Sequence, residues 1–206
     1  MKVNCSEIGF LGGVLTLATV GGAIGSSVML TRSRPSTNSL PKKLPIPRDE
    51  LVTVKDKTDR AWYLIEFMDY ECPPCKILSK DKIPELIKNK NLVLIIKNFP
   101  LKFHKYAVDA AILAEYSKYE NKFKVTHNKL LQMNHLSTES INNLSKELRI
   151  NKNPSLLSTI EKNIEHDRAL AEKLELPGTP SFVLCKPDGS VWYLPNVFKQ
   201  INSFLD

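Results

Sequence analysis

The chain has 206 residues, of which 42% are hydrophobic and 25% are charged. This composition excludes an intrinsically disordered protein, and the length allows one well-buried domain with an appended segment. The formal net charge of +7 does not indicate a nucleic-acid-binding protein, because the lysines are scattered among glutamate and asparagine and form no patch with aromatic residues.

The first predicted element is a membrane segment. Residues 8–30 carry no charged side chain, and these 23 residues are enough for a helix to cross a bilayer. We favour an uncleaved single-pass anchor over a cleaved secretory signal, because the only basic residue before the run is Lys2 and Glu7 opposes it. A buried core helix is the third interpretation. We therefore expect residues 1–31 to form a membrane anchor or a signal segment.

A proline-rich linker is predicted over residues 32–49, where the composition is typical of an extended spacer. The linker begins with more basic residues than precede the apolar run, which by the positive-inside rule favours a cytosolic C-terminal domain. Disulfide formation would need the opposite orientation. The membrane orientation that the flanking charges favour therefore disagrees with the orientation that disulfide formation needs. We give more weight to the cysteine chemistry and expect an extracytoplasmic domain.

The globular domain is predicted over residues 50–206 as an α/β architecture. Apolar and β-branched runs predict strands at 51–54, 62–67, 92–97, 181–185 and 190–194. Helical spacing of apolar residues predicts helices at 73–89, across a block of about 104–176, and at 197–205. The order is βαβ, a helical block, ββ and a final helix.

The cysteines indicate redox chemistry at one pair. They are Cys5, Cys72, Cys75 and Cys185. Only Cys72 and Cys75 are close in sequence, whereas a zinc site usually needs a second such pair. We therefore expect no metal and no cofactor, a buried thiol outside any disulfide at Cys185 and an incidental Cys5. The remaining candidate ligands are expected to be surface or capping residues: His104, His127, His135 and His166.

The Cys72-Pro73-Pro74-Cys75 pair is predicted to stand where a strand gives way to a helix. Unpaired amides and the helix dipole would stabilise a thiolate at Cys72, and the thiolate is the nucleophile in disulfide exchange. Pro73 suits the first helical turn, where a missing N–H costs nothing. Cys75, one turn later, is expected to be more buried and to act as the resolving thiol.

Glu66 interrupts an apolar strand six residues before Cys72. A buried carboxylate is costly and titrates abnormally, so a role as proton acceptor for Cys75 would explain its presence. An exposed glutamate on an edge strand is the alternative interpretation.

Thr179-Pro180 precedes a predicted strand. A cis peptide bond at Pro180 would leave the Thr179 backbone able to pair with an extended substrate segment beside Cys72. An ordinary turn is the alternative interpretation.

Several stretches resemble DsbA-like proteins of the thioredoxin superfamily. The first is 65–75 (IEFMDYECPPC), which resembles their active-site strand and helix. The others are 83–86 (IPEL), 98–101 (NFPL) and 178–182 (GTPSF). The resemblance covers residues 50–206 and implies a thioredoxin-like fold with an inserted helical subdomain.

The resemblance also implies roles for individual residues. Cys72 would be the nucleophile, Cys75 the resolving cysteine and Glu66 the buried acid. Thr179 and Pro180 would form the substrate-binding cis-proline loop. Members of this family are oxidases, isomerases or reductases of extracytoplasmic proteins and are often recycled by a membrane quinone-linked partner. Exported proteins with cysteine thiols or disulfides are therefore the expected substrates.

Two departures from the family bear on the direction of the reaction. Pro74 stands where strong oxidases carry histidine, and Glu71 is expected to raise the pKa of Cys72 slightly. Both favour a less oxidising pair. Our main expectation is a membrane-anchored, extracytoplasmic disulfide oxidase or isomerase. A reductase of the same fold and a non-catalytic peptide-binding module are the alternatives.

Overall fold

The computed structural model describes residues 40–46, 61–86, 88 and 92–205, all of which fall in one of the two units of the chain, Arg32–Asp206. The predicted membrane segment and the predicted strand 51–54 lie outside the described residues. Within the described ranges, no helix is both long enough and apolar enough to cross a membrane.

A five-stranded sheet lies at the centre, with the order β1-β5-β4-β2-β3. The strands are β1 (Lys42–Leu44), β2 (Trp62–Met68), β3 (Leu92–Asn98), β4 (Ser181–Cys185) and β5 (Val191–Tyr193). Strand β2 pairs parallel with β3 and antiparallel with β4. It is buried along nearly its whole length, as expected for a central strand between two layers.

Strand β1 lies inside the stretch predicted to be linker. It pairs antiparallel with β5, and Leu44 and Ile46 are buried in the core beside it. Pro41 and Pro45 stand immediately outside the strand, and an edge strand needs ladder hydrogen bonds on one side only, so a proline-rich stretch can supply it. The sheet therefore begins before residue 50, and residues 42–44 belong to it.

Eight helices are found in the described part of the chain. They are α1 (Pro73–Asp81), α2 (Ile83–Leu86), α3 (Ala107–Lys118), α4 (Phe123–Gln132), α5 (Thr138–Glu147), α6 (Pro154–Lys173), α7 (Val197–Gln200) and α8 (Asn202–Leu205). The predicted helix 73–89 is interrupted at Lys82, because Pro84 cannot donate a hydrogen bond to the preceding turn. Helices α3 to α6 form the predicted helical block, and the predicted last helix is two short ones.

The core has three parts that meet at β2. Tyr63, Ile65 and Phe67 point to one face and pack with residues of α6. Leu64 points to the other face and packs with residues of α2 and α7. The helical block has its own core, which extends to Met68 and to the segment that begins α1. The end of β2 and the start of α1 are therefore held where the sheet meets the helical block.

Candidate functional site

Cys72 is the N-terminal cap of α1. Its backbone is extended, with φ −69° and ψ 116°, and Pro73 is the first helical residue. The Cys72 amide donates a hydrogen bond to the Asp69 carbonyl oxygen at 3.1 Å, and the Lys76 amide donates to the Cys72 carbonyl oxygen at 3.2 Å. The Cys72 sulfur therefore lies at the positive end of the helix dipole, where the sequence predicted it.

Cys75 lies in the first turn of α1 and is fully buried, while Cys72 is 4% exposed. Neither is in a disulfide. A hydrogen bond from the Cys75 side chain lowers the pKa of Cys72 to about 6, although burial opposes the shift. Burial, followed by the hydrogen bond and charge of Cys72, raises the pKa of Cys75 far above its ordinary value. The Cys72 thiolate is therefore stabilised by a hydrogen bond from Cys75, although the side chain of Pro74 between them has no hydrogen-bond donor.

The Thr179–Pro180 peptide bond is cis, which confirms the hypothesis made from the sequence. The bond immediately precedes β4. The Sγ–H of Cys72 donates a hydrogen bond to the Thr179 carbonyl oxygen at 3.2 Å. The loop before β4 and the start of α1, which are 107 positions apart in sequence, therefore meet at the sulfur.

Glu66 is fully buried on the central strand β2. Because side chains alternate along a strand, it shares a face with Leu64 and Met68, and Met68 packs in the same cluster as Cys75. Neither carboxylate oxygen has a hydrogen-bond partner among the described residues. Burial, and secondarily the charge of Cys72, raises the pKa of Glu66 to about 8. The interpretation of Glu66 as an exposed edge-strand residue is therefore wrong.

Asp69 organises the segment between β2 and Cys72, and the sequence analysis did not select it. Its buried carboxylate accepts hydrogen bonds from the amides of Glu71 and Leu101, both at 2.7 Å, and pairs with His104 Nδ1 at 2.8 Å. Its charge also raises the pKa of Cys72, in opposition to the Cys75 hydrogen bond. The available signal was an acid at the end of a buried strand, three residues before the cysteine.

No protein-family model and no curated protein matches the chain. Several solved structures do match it. The thiol-disulfide exchange protein alpha-DsbA2 from Wolbachia pipientis is 24% identical with a TM-score of 0.61, covering 77% of this chain and 91% of its own. The catalytic domain of Proteus mirabilis ScsC is 23% identical with a TM-score of 0.60, covering 74% and 90%. Oxidised BdbD from Bacillus subtilis is 22% identical with a TM-score of 0.56, covering 77% and 92%.

The chain has the DsbA-like thioredoxin fold. Strand β2, α1 and β3 precede helices α3 to α6 in the chain, and β4, β5 and α7 follow them. The C-terminal part of α6 packs on the sheet. The resemblance that the sequence motifs indicated is therefore confirmed at the level of the fold.

Within this DsbA-like fold, Glu71 does not have the effect that the sequence suggested. Its carboxylate accepts a hydrogen bond from the Tyr106 amide, at the start of α3. The carboxylate that raises the pKa of Cys72 is that of Asp69. Sequence proximity to the cysteine was misleading because the Glu71 side chain is used to attach the helical block.

Two of the histidines expected to be surface or capping residues are half-buried and contact residues from other parts of the chain. His104 pairs with Asp69. His127 stacks on Phe123 at 5.3 Å between ring centroids and lies 3.0 Å from the hydroxyl of Tyr70 through its Nδ1. Burial lowers the pKa of His127 to about 4. Both contacts connect other parts of the molecule to the segment just before Cys72. No group of three His, Cys, Asp or Glu side chains in the described ranges is placed to hold a metal ion.

Cys185 lies apart from the pair. It is a buried thiol in β4, outside any disulfide, and it packs in the cluster that contains Ile65 and Phe67. Those side chains point to the face of β2 opposite that of Glu66. The sheet therefore lies between Cys185 and the Cys72–Cys75 pair.

Proposed function

We propose that the chain is a protein thiol-disulfide oxidoreductase that works through Cys72 and Cys75. The observation that carries this proposal is the position of the Cys72 sulfur, at the start of α1, hydrogen-bonded by Cys75 and 3.2 Å from the Thr179 carbonyl oxygen. With a pKa of about 6, Cys72 is largely thiolate at neutral pH, whereas an ordinary cysteine with a pKa of ~8.5 is not.

In the oxidising direction, the cycle begins with a Cys72–Cys75 disulfide. A substrate thiolate attacks the Cys72 sulfur, which forms the mixed disulfide, breaks the Cys72–Cys75 bond and leaves Cys75 to take up a proton. A second substrate thiolate then attacks the substrate sulfur of the mixed disulfide and releases Cys72 as a thiolate. The substrate loses two electrons in forming its disulfide, and the pair gains them.

In the reducing direction, the Cys72 thiolate attacks a substrate disulfide, and Cys75 must lose its proton before it attacks the mixed disulfide. Glu66 is suited to exchange this proton, because its carboxyl has a pKa of about 8 and lies on the face of β2 that carries the pair. A group whose pKa is near the working pH transfers protons most effectively. Glu66 would return the proton to Cys75 in the oxidising direction.

The cis-proline loop is proposed to hold the substrate. Thr179 and Pro180 lie beside the Cys72 sulfur, so an extended substrate segment could pair with the Thr179 backbone while its cysteine meets Cys72. Such backbone pairing depends on few side chains of the substrate, which suits an enzyme that acts on many cysteine-containing proteins.

We infer that the pair works as an oxidase or isomerase of exported proteins. Stabilisation of the Cys72 thiolate favours the reduced pair, and a stabilised reduced form is what makes a strong oxidant. The predicted membrane segment supports a single-pass anchor with the catalytic domain outside the cytoplasm, where a membrane quinone-linked partner could accept the electrons. One similar structure, from Salmonella enterica, is described as a periplasmic thioredoxin-like protein.

Redox equilibrium with glutathione tests the activity and its direction. We expect Cys72→Ser to abolish disulfide exchange and Cys185→Ala, the matched control across the sheet, to retain it. A reduction potential above about −200 mV supports the oxidase, whereas a value near that of thioredoxin, about −270 mV, would assign the reductase alternative. Undiminished exchange in Cys72→Ser would remove Cys72 from the mechanism, and exchange by the native protein at only the uncatalysed rate would leave the non-catalytic peptide-binding module.

Labelling of intact cells tests the proposed location. A membrane-impermeant thiol reagent should modify Cys72 from outside the cell, and the protein should stay with the membranes after an alkaline wash. Modification only after the cells are broken would place the pair in the cytoplasm, as the flanking charges favour. Release by the alkaline wash would contradict the anchor.

A further inference from the structure

A groove runs between α1 and α4 and ends beside the nucleophilic cysteine. Its volume is about 590 Å³, and Pro73, the neighbour of Cys72, forms part of its wall. Helix α1 contributes Lys76, Ile77 and Lys80, and α4 contributes residues such as Leu131. The mechanism described above uses the sulfurs, Glu66 and the cis-proline loop, and it leaves this groove without a role.

The wall of the groove combines an apolar strip with a polar rim. Ile77 is 59% exposed and lines the groove together with Leu131 and Met133. Asn128 and Gln132 supply side-chain amides beside this strip. A concave surface that combines an apolar wall with a few hydrogen-bonding side chains is typical of a ligand-binding groove.

The charges of the groove favour an acidic occupant. Two lysines, Lys76 and Lys80, and one acid, Asp81, line it. The Lys76 ammonium donates a hydrogen bond to the Met133 carbonyl oxygen at 2.6 Å. The Lys80 ammonium has no ion-pair or hydrogen-bond partner among the described residues. One cation is therefore available to a bound carboxylate.

We propose that this groove binds the part of a substrate chain that flanks the attacked cysteine, and that it favours segments with an apolar and an acidic side chain. Along α1, Pro73 and Asp81 are separated by about 12 Å at 1.5 Å per residue. That length accommodates roughly three or four residues of extended chain at about 3.3 Å each. The inference rests on the proposed function, because it names which thiol substrates the same pair prefers.

Charge reversal at Lys80 tests the proposal. Two peptides, each with one cysteine and one leucine, carry either aspartate or lysine three residues from the cysteine. The exchange rate of each peptide with the oxidised protein is divided by the same variant's rate with dithiothreitol, a small neutral dithiol that cannot fill the groove. We expect the native protein to prefer the aspartate peptide by about fivefold in this ratio, as for one partly exposed charge pair. Lys80→Glu should remove or reverse the preference.

Lys162→Glu is the matched control, because Lys162 is an exposed residue of α6 and its reversal changes the net charge equally. It should retain the preference for the aspartate peptide. Equal effects of Lys80→Glu and Lys162→Glu, or no preference in the native protein, would overturn the groove proposal. Exchange with dithiothreitol at only the uncatalysed rate would instead overturn the proposed function, so the two failures are distinguishable.

Ile77→Ser tests the apolar part of the groove. We expect the variant to lower the dithiothreitol-normalised rate of both peptides by about threefold, because the leucine loses its contact surface. Replacing the leucine of the peptide with serine should lower the native rate similarly and make the native protein and the Ile77→Ser variant alike. An unchanged rate for the leucine peptide in Ile77→Ser would contradict a peptide-binding groove.

Discussion

Glu66 and Asp69 are buried carboxylates three residues apart, and their surroundings differ completely. Asp69 accepts two amide hydrogen bonds and pairs with His104. Glu66 has no hydrogen-bond partner among the described residues and has its pKa raised to about 8. The comparison shows that a buried carboxyl group is held in place where hydrogen-bond donors surround it and has a raised pKa where they are absent. Asp69, which has donors, fixes the chain before Cys72, whereas Glu66, which has none in the described part of the chain, has the raised pKa on which the proposed proton transfer depends.

The largest expected effect is on stability, in Asp69→Ala. Its removal leaves the amides of Glu71 and Leu101 and the ring of His104 without their acceptor in a buried region. We expect a loss of about 3 to 4 kcal/mol in the free energy of unfolding, measured by urea denaturation. Asp109→Ala, at an exposed acid of α3, is the control and should cost less than about 1 kcal/mol. Similar losses in both would contradict the organising role of Asp69.

Glu66→Gln should change the free energy of unfolding in the opposite direction and stabilise the protein. Folding raises the pKa of Glu66 from 4.5 to about 8, so the native state resists ionisation that the unfolded chain undergoes above pH 4.5. The cost is absent below that pH, grows through the interval and is complete above pH 8. Glutamine removes it, so we expect a gain of about 3 kcal/mol at pH 7 and none at pH 4. A gain that does not depend on pH would contradict this origin.

The same substitution should slow proton exchange with Cys75. Glutamine keeps the shape of the side chain but carries no exchangeable acidic proton, so we expect resolution of the mixed disulfide to slow by about 100-fold. Single-turnover quenched-flow kinetics with a disulfide substrate would measure this step. In the native protein the rate should rise with pH through about 8, and this rise should be lost in Glu66→Gln. An unchanged pH profile would remove Glu66 from the mechanism.

The smallest effect is expected for Asp69→Asn. The amide keeps one of the two oxygen acceptors, so the donors on one side lose theirs, and it loses the negative charge that raises the pKa of Cys72. We therefore expect the pKa of Cys72 to fall below about 6, measured by the ultraviolet absorbance of the thiolate during a pH titration. The reduced pair should be stabilised, which shifts the glutathione equilibrium toward it by about threefold. A higher pKa would show that the loop had rearranged.

The sequence predicted those parts of the site that depend on local order. A few neighbouring residues are enough to predict the environment of each such position. The positions are a cysteine at a strand-to-helix junction, a glutamate within an apolar strand and a proline before a strand. The cis bond at Pro180 and the burial of Glu66 were available in this way. The succession of strands and helices along residues 62–205 followed from the same patterns.

Long-range contacts were not predictable from these patterns. Asp69 meets His104 across 35 positions, and Tyr70 meets His127 across 57, so each pair forms only once the helical block has packed on the sheet. Strand β1 was missed for the same reason, since its stability depends on a partner near the other end of the chain. Its short, proline-flanked sequence carries little strand preference of its own.

The position of Cys185 behind the sheet would allow the proposed oxidoreductase to capture the proteins on which it acts, here called its clients. If Cys75 is replaced by alanine, a client bonded to Cys72 has no second sulfur of the described residues close enough to expel it, because Cys185 faces the opposite layer. A client whose own second thiol does not reach the bond should then remain covalently attached through purification and separate only when a reductant is added. Mass spectrometry of the released chains would name the proteins on which the pair acts.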